Sequence, residues 1–96
     1  MAVLRLTRFK TDPADAREML ARRSALIDAV RRAYPGLVQA QLAKVDDQTW
    51  IDAWRWESRV NAEAALADAA AIPEAAAAFS LTRDATAEFA DLVDER

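Results

Sequence analysis

The sequence predicts an α+β domain: a four-stranded antiparallel sheet carrying its helices on one face, in the order β-α-β-β-α-(α)-β. Three observations predict it. Only one glycine and three prolines are present, and each falls at the edge of a patterned segment. Strand-like and helix-like patterns alternate between those breaks. The run Trp50-Ile51-Asp52-Ala53-Trp54-Arg55-Trp56 sets three tryptophans at period-two positions, so that Trp50, Asp52, Trp54 and Trp56 share one face of a strand and Ile51, Ala53, Arg55 and Glu57 the other.

Residues 2–10 read as the first strand, since Val3, Leu4, Leu6, Thr7 and Phe9 are good strand formers. Asp12 is a natural N-cap for the helix that follows, Pro13 suits its first position and Asp15 puts negative charge in its first turn. This helix runs to about Ala33, where Tyr34-Pro35-Gly36 ends it and Gly36 is free to take a positive φ. Residues 37–45 and 49–57 form a hairpin about the polar turn Asp46-Asp47-Gln48. Ser58 caps a second helix from about 59 to 71, whose inner side is expected to be Ala64, Ala67, Ala70 and Ala71. Pro73 interrupts it, and a short helix from Glu74 to about Leu81 turns Phe79 and Leu81 inward. Residues 84–93 alternate as a fourth strand, followed by a solvated acidic end. The sum is a ferredoxin-like, split βαβ arrangement. Its helix-free face needs cover, and a second copy of the same sheet, giving a two-fold homodimer, is the simplest cover.

The chain has 96 residues, enough for one domain, spanning 1–96. A domain of this size buries roughly 60–65% of its unfolded surface, which dimerisation would extend. Apolar residues make up 53% and charged residues 30%, a folded composition. The net charge of −3 argues against nucleic acid as a partner, because phosphate binding needs a basic face. No cysteine is present, so disulfides and thiolate metal sites are excluded. No histidine is present either, which removes the commonest metal ligand, the usual haem ligand and the usual general base. No carboxylates are spaced as a metal site. No apolar run approaches the length of about 20 residues that a bilayer span needs, so no membrane partner is expected. The N-terminal segment lacks the features of a signal peptide, and the expected compartment is the cytoplasm.

Helical periodicity puts Met19, Leu20, Leu26, Ile27, Val30 and Tyr34 on one stripe of the first helix. Arg23 falls within that stripe, while Arg22, Ser24 and Arg31 point toward solvent. A buried arginine keeps its charge and needs a carboxylate, a carbonyl, an aromatic face or a bound anion. Asp52, on the tryptophan face of the third strand, can meet it across the helix–sheet gap, with Trp54 or Trp56 stacked on the guanidinium. The expected site is therefore a helix–sheet hollow with an indole wall, one arginine and one carboxylate. A purely structural Arg23–Asp52 pair is the competing reading. Trp50, beside the turn, reads as packing or interface. Asp12, Pro13, Tyr34 and Gly36 read as architecture, although Tyr34, like Phe79, is also a ring that can reach the hollow. Arg5 and Arg8 lie on opposite faces of the first strand, so one of them is covered; the sequence leaves open which.

These residues carry a resemblance. Thr11-Asp12-Pro13-Ala14-Asp15 opening a long helix, Tyr34-Pro35-Gly36 closing it and Asp47 through Ser58 look like the antibiotic biosynthesis monooxygenase (ABM) domain family, of the dimeric α+β barrel superfamily. The likeness covers essentially the whole chain. It implies a homodimer whose two sheets form a barrel with helices outside, and a pocket between helices and sheet in each subunit. Better-known members oxidise aromatic polyketide phenols with O₂ and without metal or flavin, so no cofactor is implied. The family's third-strand tryptophan is matched by Trp54 or Trp56. The asparagine that many members carry on the first strand has no counterpart in residues 3–9, and the histidine of haem-degrading members is absent, which disfavours haem degradation.

The leading expectation is a cofactor-independent monooxygenase for an aromatic or phenolic, polyketide-like small molecule. Asp52 would help remove a phenolic proton and Arg23 would stabilise the anion. Trp54 and Trp56, with Tyr34 and Phe79, would bind the planar substrate. The alternatives are a dimer that binds a small aromatic ligand without chemistry, and a purely structural dimer whose Arg23–Asp52 pair leaves no hollow.

Overall fold

In the computed structural model, which describes residues 1–96, strand β1 spans Val3–Lys10 and is followed by a short 3-10 turn at Pro13–Asp15. Helix α1 (Ala16–Ala33), strands β2 (Leu37–Lys44) and β3 (Thr49–Trp56), helices α2 (Arg59–Ala67) and α3 (Pro73–Phe79) and strand β4 (Arg83–Asp91) complete the chain. The sheet order is β2-β3-β1-β4 and every neighbouring pair is antiparallel. This is the expected ferredoxin-like order, with β1 and β3 at the centre.

Local chemistry sets the ends of these elements. The Asp12 side chain accepts from Ala14 N–H at 2.9 Å, so the cap works as expected, although the chain makes a 3-10 turn before α1 begins. Tyr34 ends α1 in extended backbone, and Gly36 takes φ 102°. A single Asp46 oxygen accepts from Gln48 N–H at 2.9 Å and Thr49 N–H at 2.8 Å, which closes the β2–β3 hairpin. The Ser58 hydroxyl accepts from Asn61 N–H at 3.2 Å and starts α2. Pro73 occupies the first turn of α3, where its missing N–H costs nothing.

Register decides which side chains face the helices. Val3, Arg5, Thr7 and Phe9 of β1 lie opposite Trp56, Trp54, Asp52 and Trp50 of β3, and these two rows form the covered floor. Arg5 is thus the covered arginine, and Arg8 lies on the open face with Leu4, Leu6, Ile51 and Ala53.

The core has two parts. The larger one packs Val3 and Trp56 under Leu26 and Val30 of α1 and under the alanines of α2 and α3. The smaller one joins Phe9 and Trp50 to Met19, with Leu81 and Leu42 packed against them. Trp50 is therefore core.

Three expectations change. The inner alanines are Ala62, Ala65, Ala75 and Ala78, whereas Ala64, Ala67, Ala70 and Ala71 are exposed. The Ser58 cap sets the helical phase, and α2 stops at Ala67, before positions 70 and 71 could continue it. An unbroken alanine run gives no periodicity from which to read that phase. Leu20 is exposed at the edge of the α1 stripe. Arg22, expected in solvent, donates to the Ala77 carbonyl and the Ser80 hydroxyl, both at 3.0 Å, and so anchors the end of α3 on α1. No helix is long and apolar enough to cross a membrane.

Candidate functional site

On α1, Met19, Arg23, Leu26 and Val30 recur at helical spacing and look down on the sheet. On β3, Trp50, Asp52, Trp54 and Trp56 look up at period two. Each row therefore carries one charged residue between apolar ones. They meet: Arg23 Nε donates to Asp52 Oδ2 at 2.9 Å and Arg23 Nη2 to Asp52 Oδ1 at 2.8 Å. The side chains retain only 16% and 13% of their exposure, so this bidentate pair is largely withdrawn from water. It stands between the two parts of the core. Met19, Trp50 and Phe9 pack on one side of it, and Leu26, Val30 and Trp56 on the other.

Beside the pair is a partly open cavity of about 360 Å³, within the size range of small-molecule sites. Its floor is Arg5, Thr7 and Phe9 from β1 with Asp52, Trp54 and Trp56 from β3. Met19, Arg23, Leu26 and Val30 form its roof, and Ala65 and Leu66 of α2 with Ile72, Ala75 and Phe79 close a side. Ala85 and Ala87 of β4 complete the wall, and their small side chains keep that edge wide. No three acidic side chains converge as a metal site would require.

Of the residues expected at the site, Arg23, Asp52, Trp54, Trp56 and Phe79 all line this cavity. Phe79, expected to turn inward, instead lines it from the rim with 57% of its surface exposed. Tyr34 does not line it. Its ring packs against the larger core and its hydroxyl donates to Asp68 Oδ2 at 2.8 Å, which joins the end of α1 to the end of α2. That hydrogen bond holds the Tyr34 hydroxyl above its ordinary pKa, because the shared proton would be lost next to a carboxylate; partial desolvation and the Asp68 charge add to the effect. The expected stacking of Trp54 or Trp56 on Arg23 does not form. The cation–π contacts lie elsewhere: Arg5 and Arg59 both approach the Phe89 ring, each 4.7 Å from its centroid, and Lys44 lies 5.4 Å from that of Trp50.

Arg5 and Thr7 of β1, with Thr82 just before β4, are the polar lining residues that sequence pattern missed. On β1 the signal was present but ambiguous. Val3 and Phe9 share the parity of Arg5, whereas Leu4 and Leu6 argue equally for the other face.

No protein-family model matches the chain, and no curated protein does. Solved structures do match it. SnoaB, a cofactor-independent oxygenase from Streptomyces nogalater, is similar with TM-score 0.75 and 22% identity, over 98% of this chain and 95% of that one. Rv0793 from Mycobacterium tuberculosis is similar with TM-score 0.67 and 23% identity, over 99% and 98% of the two chains. A protein described as an antibiotic biosynthesis monooxygenase is similar with TM-score 0.71 and 15% identity, over 96% and 99%. Taken with the strand order and the helix–sheet cavity, these likenesses show that the chain has the fold of the antibiotic biosynthesis monooxygenases.

Proposed function

We propose that this protein is an oxygenase of the antibiotic biosynthesis monooxygenase family, acting with O₂ and without metal or flavin on an aromatic, phenol-like small molecule. The observation that carries the reading is a charged pair, Arg23–Asp52, set in an otherwise apolar cavity against Trp54 and Trp56. The oxygenase description of SnoaB, which shares the fold, supports it.

The chemistry uses what the pair leaves free. Each Asp52 oxygen accepts one N–H from Arg23 and keeps further acceptor capacity, and two of the guanidinium's five donors are spent on it. A phenolic O–H beside the pair gives its proton to Asp52, directly or through a water. The transfer neutralises Asp52 and creates a phenolate beside a guanidinium that has just lost its anion, so the positive charge is on hand where negative charge develops. Trp54 and Trp56 hold the ring flat and exclude water. The electron-rich ring anion then reduces O₂. One oxygen ends on a ring carbon as a carbonyl, and the other leaves as water with that carbon's single hydrogen and the proton held on Asp52, which restores the carboxylate as the phenolic oxygen becomes the second carbonyl.

O₂ uptake with anthrone- and naphthol-type substrates tests this reading. Turnover should fall by about 100-fold or more in Asp52→Asn, the size of a lost general base, while Phe79→Leu changes mainly KM. Wild-type turnover in both Asp52→Asn and Arg23→Met would remove the pair from the mechanism.

One observation favours a second reading, a binding module without chemistry: Arg23 already engages both Asp52 oxygens. Saturable tryptophan quenching by such ligands with no O₂ consumption would select it. In either case the open face of the sheet, with Leu4, Leu6 and Ile51 among its side chains, is the surface on which a second copy would close a dimer in the cytoplasm.

A further inference from the structure

The ionisable side chains lining the cavity are Arg5, Arg23 and Asp52. Arg23 and Asp52 neutralise each other. Arg5 has no carboxylate within 4.0 Å and makes no side-chain hydrogen bond, so the cavity keeps one uncompensated positive charge. An arginine cannot shed that charge by losing a proton. Its position makes this costly. Arg5 lies at mid-strand on β1, opposite Trp54 on one side and Phe89 on the other, and is half-buried. The Phe89 ring receives its guanidinium at 4.7 Å from the centroid, which satisfies a face of the cation but none of its N–H groups, because those donate in the guanidinium plane. Arg59 approaches the same ring, also at 4.7 Å, so a second positive charge stands nearby, and it too has no carboxylate within 4.0 Å. None of the Arg5 nitrogens is among the fully occluded unpaired atoms, so the donors remain reachable.

We infer that the cavity selects planar aromatic ligands that carry a carboxylate, and that Arg5 is the residue that selects them. The donor edge of Arg5 matches a carboxylate in bidentate geometry. A ligand whose acid group meets Arg5 lays its ring along Trp54 toward Arg23 and Asp52, so one end is fixed by charge and the reacting end is presented to the pair. This rests on the proposed cavity function and narrows it from aromatic compounds in general to aromatic acids. Arg5 would be a specificity residue and takes no part in proton transfer.

Calorimetric titration with 2-naphthoate and its neutral isostere 2-naphthamide tests the inference. The wild-type protein should bind the acid about tenfold more tightly or better, the size of one charge-assisted hydrogen-bonded pair. Arg5→Gln should abolish that preference, weakening naphthoate binding by about tenfold more than naphthamide binding. Arg5→Lys should keep part of it, and Arg59→Gln, outside the cavity lining, should keep most of it. Circular dichroism of each variant reports the fold. Equal binding of both ligands by wild type would overturn the role of Arg5 while leaving the cavity reading intact. An acid preference that survives Arg5→Gln would overturn it too and move the anion to Arg23. Binding of neither ligand would overturn the cavity reading and this one together.

Discussion

Arg23 and Asp52 show how a single residue's worth depends on its partner. Each is expensive where it lies, since a charge largely withdrawn from water must be matched. Arg23→Met should therefore destabilise the protein by about 3 kcal/mol, because it strands the Asp52 carboxylate, whereas Arg23→Met combined with Asp52→Leu should recover most of that loss. Urea unfolding measures both. A double variant as unstable as the single one would show that the pair contributes through packing alone. Both residues were legible in the sequence because each breaks its own pattern: Arg23 interrupts an apolar helical stripe, and Asp52 sits among indoles at strand spacing. The same logic placed Tyr34 near the hollow and did not hold there. A tyrosine at a helix end has a hydroxyl to satisfy, and Asp68, thirty-four positions away, satisfies it outside the cavity.

At the scale of elements, stability rests on a few polar closures. Asp46 ties off the hairpin, and the N–H groups of Gln48 and Thr49 that it accepts hold its carboxyl below the ordinary value of 3.8. The depressed value means that this stabilisation is present at neutral pH and is lost as pH falls through the folded-state pKa. Asp46→Ala should thus lower the urea midpoint at pH 7, and the gap from wild type should close in acid. Tyr34 runs the other way. Its raised folded-state pKa means that its contribution is complete below the ordinary value of 10.0 and fades as pH climbs past it, so the cost of Tyr34→Phe should shrink in strong alkali. Gly36 is conformationally committed as well. With φ 102° and the Asn61 side chain against it, an added Cβ would fall 2.8 Å from Asn61 Cβ. Gly36→Ala should cost roughly 1–3 kcal/mol, read from the shift in thermal midpoint. The caps and stops of these elements are written locally, in Asp12, Ser58, Pro73 and Gly36, and were readable for that reason. The buried face of α2 was not, because alanine at nearly every position carries no phase.

For the whole molecule, the cavity follows from how the layers meet. The core is split, and the Arg23–Asp52 pair occupies the waist between its two parts. Small side chains on β4 and α3 leave room beside it. The opposite face of the sheet has no helix. If a second copy covers it as proposed, Ile51→Asp should convert the dimer to a monomer by analytical ultracentrifugation while leaving far-ultraviolet circular dichroism intact, since a carboxylate in the centre of a dry interface is strongly unfavourable.

What the sequence determined by itself is the order of elements, the caps and breaks at Asp12, Ser58, Pro73 and Gly36, and the two charged residues that interrupt apolar patterns, because capping, periodicity and glycine geometry act over a few neighbouring residues. Which parity of β1 is covered, which alanines face inward, whether Tyr34 reaches the cavity and which of Arg5 and Arg8 does were decided only in the tertiary structure. Those outcomes depend on strand register and helix phase relative to the sheet, and no local interaction within β1 distinguishes the face of Arg5 from the face of Arg8.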